Sequence, residues 1–280
     1  MKKIDEIVKF DSVGDLARHV DDLQRVNATR IYGDSSTDTH DPAFYGGWSM
    51  EESIDCGLAG GNWQAGADAM PALRIEHETL SGGELPSQFI VNDLQGFAPN
   101  VPAYLSGVPD DMFDIIEQDS GDKLLRVAVH VGRYSECDQK TILRRGAAIM
   151  SVLSQLALEG YSIELWAIWR NCNSEGSVSI ETCVKHGNDH WSPESVAFAL
   201  CHASFQRRLC WRVAENLTGK GGAVTGTNYG NGLKAEFKDY DLSYGYVGGK
   251  VFDQMGSTQK TVDYIKNETL AQLDARKIAA

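Results

Sequence analysis

Four consecutive segments in the middle of the chain constrain its fold most. KLLRVAVHV (123–131) alternates as a half-buried strand does, and YSIELWAIWR (161–170) and SVSIETCVK (177–185) predict two further strands. Between the first two lies QKTILRRGAAIMSVLSQLALEG (139–160), an amphipathic helix that ends at a glycine. A strand, a crossover helix and a second strand make a β-α-β unit, whose crossover is right-handed. The predicted fold class is α/β (mixed α+β), with a central mixed sheet.

Helical patterns flank this unit on both sides. Apolar residues recur at helical spacing from Val13 to Leu23 and again from Ser49 to about Leu58. SPESVAFALCHASFQRRLCWRVAENLTG (192–219) begins with a Ser–Pro–Glu helix start and closes on a glycine, and residues 262–280 predict a last helix. The apolar side of the helix from 192 includes His202, which we interpret as a core histidine.

The chain therefore divides into four parts. They are an acidic, helical and loop-rich N-terminal part (1–122), a β-α-β-β-α core (123–218), a Gly/Tyr/Lys-rich arm or hairpin (219–254) and a C-terminal helix (255–280).

Charge is distributed unevenly over these parts. The net charge is −13, of which residues 1–122 contribute −16 (7 Lys+Arg against 23 Asp+Glu) and residues 123–220 contribute +3 (12 against 9). The chain after residue 122 can therefore present a basic surface, although long-range attraction of nucleic acid would be poor. No apolar run approaches the ~20 residues of a membrane helix, and the N-terminus lacks the apolar core of a signal peptide. We expect a cytosolic protein with no membrane contact, whose cysteines are free thiols.

Several catalytic and metal-binding patterns are present only in part. The glycines after residue 219 follow a helix and match neither a P-loop nor GxGxxG. The polar turn 130–138 invites comparison with von Willebrand A-like domains, yet the Asp-x-Ser-x-Ser metal motif is missing there. Cys183, His186 and His190 have spacings that could ligate zinc, without an evident fourth ligand. We predict no catalytic residue, no cofactor and no metal. The alternative is a phage enzyme or metal-binding protein on a von Willebrand A-like core that lacks its metal motif.

Single-stranded nucleic acid requires cations along the phosphates and aromatic faces for unstacked bases. The helix from 192 offers arginines, two of which share a face at a spacing of four, and the glycine-rich arm interleaves lysines with tyrosines. The candidate nucleic-acid-binding residues are Arg144, Arg145, Arg207, Arg208, Arg212, Lys220, Tyr229, Lys234, Lys238, Tyr240, Tyr244, Tyr246 and Lys250.

The same residues also have a purely structural interpretation. Residues 233–250 alternate in part and could form an ordinary β-hairpin whose tyrosines pack on the sheet. Arg207 and Arg208 could pair with carboxylates of the acidic N-terminal part. Composition alone leaves both interpretations open.

Sequence blocks then point to a family. GGWSMEES (46–53), GNWxxG (61–66), GVPDDM (107–112) and RRGAAIMSVLSQLALEGYSIELW (144–166) resemble, in this order, a family of uncharacterised bacteriophage proteins. ALCHASFQRRL (199–209) resembles its later block, with Ala203 where proline is usual. The likeness covers about residues 40–215. Within that family the chain resembles the Drc group of single-stranded-DNA-binding RNA polymerase cofactors from lytic podoviruses with a virion-packaged polymerase.

The resemblance implies a function and a setting. It implies a fold unlike the OB barrel, sequence-independent binding of single-stranded DNA at melted promoters, and recruitment of the phage-encoded RNA polymerase in the host cytoplasm. It implies no enzyme activity. Self-association into a homo-oligomer would suit a cooperative binder, and the acidic N-terminal part would serve protein contacts.

Overall fold

The structure is a computed structural model, and it describes residues 4–25, 35–37, 41–69, 89–93, 98–99, 112–116, 123–132, 138–172, 176–187, 189, 192–217, 237, 239–245 and 258–279. The strands in these residues are β1 (Ile4–Phe10), β2 (Phe89–Asp93), β3 (Ala98–Pro99), β4 (Met112–Ile116), β5 (Lys123–His130), β6 (Tyr161–Cys172), β7 (Gly176–Lys185) and β8 (Leu242–Tyr244). The α-helices are α1 (Val13–Arg25), α2 (Met50–Leu58), α3 (Gln64–Ala69), α4 (Gln139–Leu158), α5 (Pro193–Cys201), α6 (Trp211–Glu215) and α7 (Thr258–Ala279). Two 3-10 turns (Ser35–Thr37 and Pro42–Tyr45) and a π-helical segment (Phe205–Cys210) complete the set.

Five strands form a mixed sheet in the order β1-β7-β6-β5-β8. β5 is parallel to both β6 and β8, β1 is parallel to β7, and β6 is antiparallel to β7. The predicted mixed α/β fold class is confirmed, as is the parallel β5–α4–β6 unit. A second, antiparallel sheet has the order β2-β4-β3.

Two strands of the main sheet were not predicted. β1 precedes the first helix and pairs along its whole length with β7, more than 160 residues later in the chain. β8 lies inside the predicted arm or hairpin, where Leu242–Tyr244 pair in parallel with Val127–Val129. This part of 219–254 is therefore a strand of the main sheet, and the prediction of an arm or hairpin is corrected for these residues.

The predicted helix from 192 is interrupted. His202 ends α5 with an extended backbone (φ −100°, ψ 131°), and its Nδ1 accepts a hydrogen bond from the amide of Ser204 at 3.2 Å. The chain then continues as the π segment and α6, which turns the arginines of FQRRLCWR inward. No helix within the described ranges is long and apolar enough to cross a membrane.

The main core lies on the helical side of the sheet. Val127, Leu165 and Ile180 point from β5, β6 and β7 into a cluster that also includes residues of α1, α2, α4, α5, the π segment and α7. The N-terminal part thus shares one core with the β-α-β unit. Alternate residues of the same strands point the other way. We call this side the second face; its residues include Lys9, Arg126, Ala128, His130, Glu164, Trp166, Ile168, Arg170, Glu181 and Cys183.

Helix packing leaves no room at Gly146 in α4. A Cβ atom there would overlap Sγ of Cys201 and lie 3.0 Å from the carbonyl oxygen of Leu200 in α5. We expect Gly146→Ala to lower the free energy of unfolding by about 1–3 kcal/mol, although alanine has the higher helix propensity. Urea unfolding followed by circular dichroism measures the change.

Gly14 in α1 is the matched control, because a Cβ atom there meets its nearest neighbours at an ordinary 3.7 Å. Gly14→Ala should leave stability unchanged or raise it by up to about 1 kcal/mol. Equal effects of the two substitutions would contradict the close α4–α5 contact.

Candidate nucleic-acid interface

Three of the predicted phosphate contacts lie inside the protein. Arg207 and Arg208 belong to the π segment and Arg212 to α6, and their exposed fractions are 1%, 3% and 2%. Side chains with so little accessible surface do not reach a phosphate outside the fold. The predicted nucleic-acid contacts of Arg207, Arg208 and Arg212 are therefore corrected to structural roles.

These arginines fasten the N-terminal part to the core. Arg207 donates to the carbonyl oxygen of Phe44, and its guanidinium lies 3.9 Å from the centroid of that ring. Arg208 donates to the carbonyl oxygens of Trp48 (3.2 Å) and Ser36 (2.6 Å). Arg212 donates to the carbonyl oxygen of Leu23 at 3.4 Å. These contacts join the arginines to backbone carbonyls of the N-terminal part and to the ring of Phe44.

Three of the sequence blocks that suggested a family, 46–53, 61–66 and 199–209, meet around His202. Its ring centroid lies 3.9 Å from that of Trp48 and 4.6 Å from that of Trp63, with Phe198 at 6.0 Å. A Cβ atom on Gly46 would lie 2.9 Å from the His202 ring, so only glycine fits there. His202 is 3% exposed, which confirms it as a core histidine. These blocks therefore specify how the N-terminal part packs on the core.

Arg145 is also internal, at the carboxyl ends of β5 and β8. From α4 it donates to the carbonyl oxygens of His130 (3.1 Å), Tyr244 (3.3 Å) and Gly245 (2.9 Å). Its exposed fraction is 2%, so the predicted phosphate contact is corrected here as well. Burial, and then the charge of Arg145, lower the pKa of His130 to about 4. A fixed guanidinium thus lies beside the strand end at which a von Willebrand A-like domain has its metal motif.

The two described tyrosines of the predicted arm have different environments. Tyr244 is fully buried, with its hydroxyl 2.7 Å from Oγ1 of Thr269 in α7, and burial raises its pKa. The prediction that Tyr244 stacks on bases is corrected, because the ring belongs to the core. Tyr240 is half-buried on the second face, where its hydroxyl donates to Oε2 of Glu181 at 3.3 Å.

Charged pairs connect neighbouring strands across the second face. Nζ of Lys9 lies 3.1 Å from Oε2 of Glu181, and Nε of Arg126 lies 3.1 Å from Oε1 of Glu164. The side chains of Lys9 and Arg126 are 54% and 41% exposed. Both cations can therefore meet a ligand from solvent without unfolding.

Aromatic rings lie among these charges. Lys9 Nζ is 5.6 Å from the centroid of Trp166, and the Arg126 guanidinium is 5.3 Å from that of Tyr240. The rings of Trp166 and Tyr240 approach to 6.5 Å at 64°, and Phe237 lies 6.2 Å from Tyr240. The second face thus combines cations and aromatic surfaces, the two chemistries that a single strand requires.

Sequence reasoning missed Lys9, Arg126 and Trp166 as candidate site residues. The signal was available in the central strands, because Arg126 and Glu164 are partners in the β5–β6 register and Trp166 shares their face by alternation. Lys9 could not be placed in the same way, since its strand was not predicted.

The possible zinc ligands are only partly described. Sγ of Cys183 lies 3.5 Å from Nδ1 of His186, whose Nε2 lies 3.1 Å from the carbonyl oxygen of Asp11. Burial raises the pKa of Cys183 to about 12, so the thiol stays protonated and is a poor metal ligand or nucleophile. Among the described residues no group of three metal-ligating side chains occurs, and His190 lies outside them.

One further predicted contact, Arg144, lies in the described residues, and six lie outside them. Arg144 is half-buried on α4, next to the internal Arg145. The predicted contacts that lie outside the described residues are Lys220, Tyr229, Lys234, Lys238, Tyr246 and Lys250.

Removing one buried guanidinium should destabilise the fold. Arg208→Ala leaves the carbonyls of Ser36 and Trp48 without its hydrogen bonds, and we expect a loss of about 3 kcal/mol in the free energy of unfolding. Arg18→Ala is the control, because Arg18 forms an exposed i,i+3 pair with Asp15 and should contribute less than about 1 kcal/mol. Equal losses in urea unfolding would contradict the structural role of Arg208.

Buried His130 should make stability depend on pH. Its pKa is about 4 in the folded protein, below the ordinary 6.5, so the unfolded chain binds the proton more readily. The stabilisation is complete above pH 6.5 and is lost as the pH falls towards 4, by up to about 3 kcal/mol. His130→Phe should flatten unfolding free energies measured between these pH values, and an unchanged slope would exclude His130 as the cause.

Comparison with known proteins gives a family without an assigned activity. The model of a family described as "Domain of unknown function (DUF7192)" matches residues 3–272. No curated protein and no solved structure matches the chain. Because the match covers nearly the whole sequence, including β1, the central sheet and most of α7, the chain belongs to the DUF7192 family.

Proposed function

We propose that the protein is a sequence-independent single-stranded DNA-binding protein of a bacteriophage. It acts as a transcription cofactor in the host cytoplasm, where it holds melted promoter DNA and recruits the phage RNA polymerase. It has no catalytic role, and it works as a homo-oligomer. The sequence support is the resemblance to the Drc group, carried by the blocks between residues 40 and 215.

The second face is the observation that carries the proposal. Lys9 and Arg126 are partly exposed cations, and each lies against an aromatic ring that faces the same side of the sheet. Phosphates of a single strand would bind the cations, and unstacked bases would lie against the rings. A duplex offers its phosphates without free base faces, so it would bind more weakly.

Protein contacts are assigned to the acidic N-terminal part. Residues 41–69 contain five acidic side chains and no lysine, arginine or histidine. All five side chains are exposed. Asp41 precedes the first turn of this stretch, Glu51, Glu52 and Asp55 lie on α2, and Asp68 lies on α3. This surface would repel DNA and attract a basic patch on the polymerase or on a second protomer.

Fluorescence polarisation with a labelled thirty-nucleotide strand tests the proposal. The Lys9→Ala/Arg126→Ala variant should bind several-fold more weakly, because two phosphate contacts are lost. Its slope of log K against log salt should be shallower by about 0.7 for each contact. The intact protein should prefer the single strand to a matched duplex competitor.

Two controls sharpen this test. Arg18→Ala removes an exposed, carboxylate-paired arginine from α1 and should leave affinity and salt slope unchanged. Alanine at Lys220, Lys234, Lys238 and Lys250 tests the arm without deleting it, which matters because Leu242 and Tyr244 belong to the core. If the intact protein does not bind the strand at low salt, single-strand binding is excluded.

A further inference from the structure

We infer that residues 237 and 239–241, here called the strap, occupy the place of nucleotides on the second face. The base-binding site is then the surface beneath the strap, and an incoming single strand competes with a segment of the same chain. This inference rests on the proposed function. It identifies the site within the second face and the step that controls access to it.

One aromatic contact of the strap resembles that of a stacked base, and the others cover a ring of the second face edge-on. Phe237 is 9% exposed, and its ring lies nearly parallel to that of His130, at 27° and 6.1 Å. Tyr240 packs edge-on against Trp166 and takes the guanidinium of Arg126 on its face. Trp166 is 9% exposed. The rings that could stack on bases are therefore already covered.

The polar contacts of the strap resemble those of a phosphodiester backbone. Oδ2 of Asp241 accepts the main-chain amide of Arg126 at 2.8 Å, and the carbonyl oxygen of Asp239 accepts Nη1 of Arg126 at 3.4 Å. Glu181 meanwhile holds both Lys9 and the hydroxyl of Tyr240. The two cations that we assign to phosphates therefore already have oxygen acceptors: Arg126 has the carbonyl of Asp239 in the strap, and Lys9 has the carboxylate of Glu181.

The strap is held less firmly than the strand that follows it. Leu242 and Tyr244 of β8 are fully buried, and Gln272 of α7 binds both the amide (2.7 Å) and the carbonyl oxygen (2.9 Å) of Ser243. Tyr240 is half-buried, and its hydrogen bond to Glu181 is a long 3.3 Å. The inference requires the ring of Phe237, Tyr240 and the two 2.8 Å hydrogen bonds of Asp241 to be released while β8 stays paired with β5.

In such a competition, the apparent affinity for the strand is the intrinsic affinity multiplied by the fraction of molecules whose site is not covered by the strap. Weakening the strap should therefore strengthen binding. We expect Tyr240→Ala and Phe237→Ala to bind the thirty-nucleotide strand about three- to tenfold more tightly than the intact protein. Tyr264→Ala is the control, because Tyr264 is a 38% exposed tyrosine on α7, a helix that packs into the core on the helical side of the sheet. Where Phe237→Ala does not fold by circular dichroism, Phe237→Leu replaces it.

Hydrogen exchange provides a second, independent readout. The amide of Asp241 donates to the carbonyl oxygen of Arg126 at 2.8 Å and should be protected in the free protein. Binding of the strand should accelerate its exchange while the amides of β8 remain protected. Slower exchange at Asp241, or weaker binding by Tyr240→Ala, would overturn the inference, because Tyr240 would then stack on bases from its present position.

The outcomes separate the two proposals. Binding by the intact protein without a gain in the strap variants and without faster exchange refutes the strap and leaves single-strand binding in place. Binding by the strap variants alone supports both and identifies the intact chain as self-blocked. No binding by any form at low salt refutes both.

Discussion

Buried guanidinium groups bound to main-chain carbonyls hold the irregular parts of this protein in place. Arg207 and Arg208 bind carbonyls of the segment 36–48, and Arg145 binds those at the carboxyl ends of β5 and β8. A buried cation is stable only where hydrogen bonds replace its hydration, and a buried carbonyl outside regular structure needs a donor. Each hydrogen bond from an arginine to a carbonyl therefore satisfies a buried cation and a buried acceptor at once. The aromatic cluster around His202 and the edge of the main sheet therefore depend on arginines that composition alone would place on the surface.

The helices lie on one side of the main sheet, and this determines the chemistry of the other side. Alternation along β5, β6 and β7 sends apolar residues to the helical side and leaves Arg126, Glu164 and Glu181 on the second face. Lys9 and Arg126 there each have a carboxylate partner, which a phosphate would have to displace. Binding would then be an exchange of anionic partners and would be sensitive to salt. The proposed strap would extend the same logic, because the carbonyl oxygen of Asp239 and the ring of Tyr240 already contact the guanidinium of Arg126.

Local sequence signals predicted the central strands and helices of the fold. They did not predict the strands whose pairing partners are far away in the sequence. The β5–α4–β6 unit, the helix that starts after Ser49 and the C-terminal helix follow from periodicity and caps. β8 is only three residues long, and the partners of both β1 and β8 are far away in sequence, so local pattern alone does not reveal these strands. The arginine pattern of the helix from 192 misled for another reason: the break at His202 turns the chain into a π segment, which points these side chains inward. Of the site, sequence reasoning named Tyr240 as a base contact, with packing on the sheet as the alternative, and missed the cations beside it.

Within the described residues, the helical layer separates the acidic surface of 41–69 from the second face. The exposed carboxylates of α2 and α3 lie beyond the helical layer, since α2 packs on α1 and on the π segment, and α3 packs on α5. A helical layer is about 10 Å thick, so these carboxylates lie at least about that far from a ligand on the second face. The acidic surface of α2 and α3 is therefore available to a different partner on the opposite side. The proposed cofactor role would use this arrangement, because DNA and polymerase would have to bind at the same time.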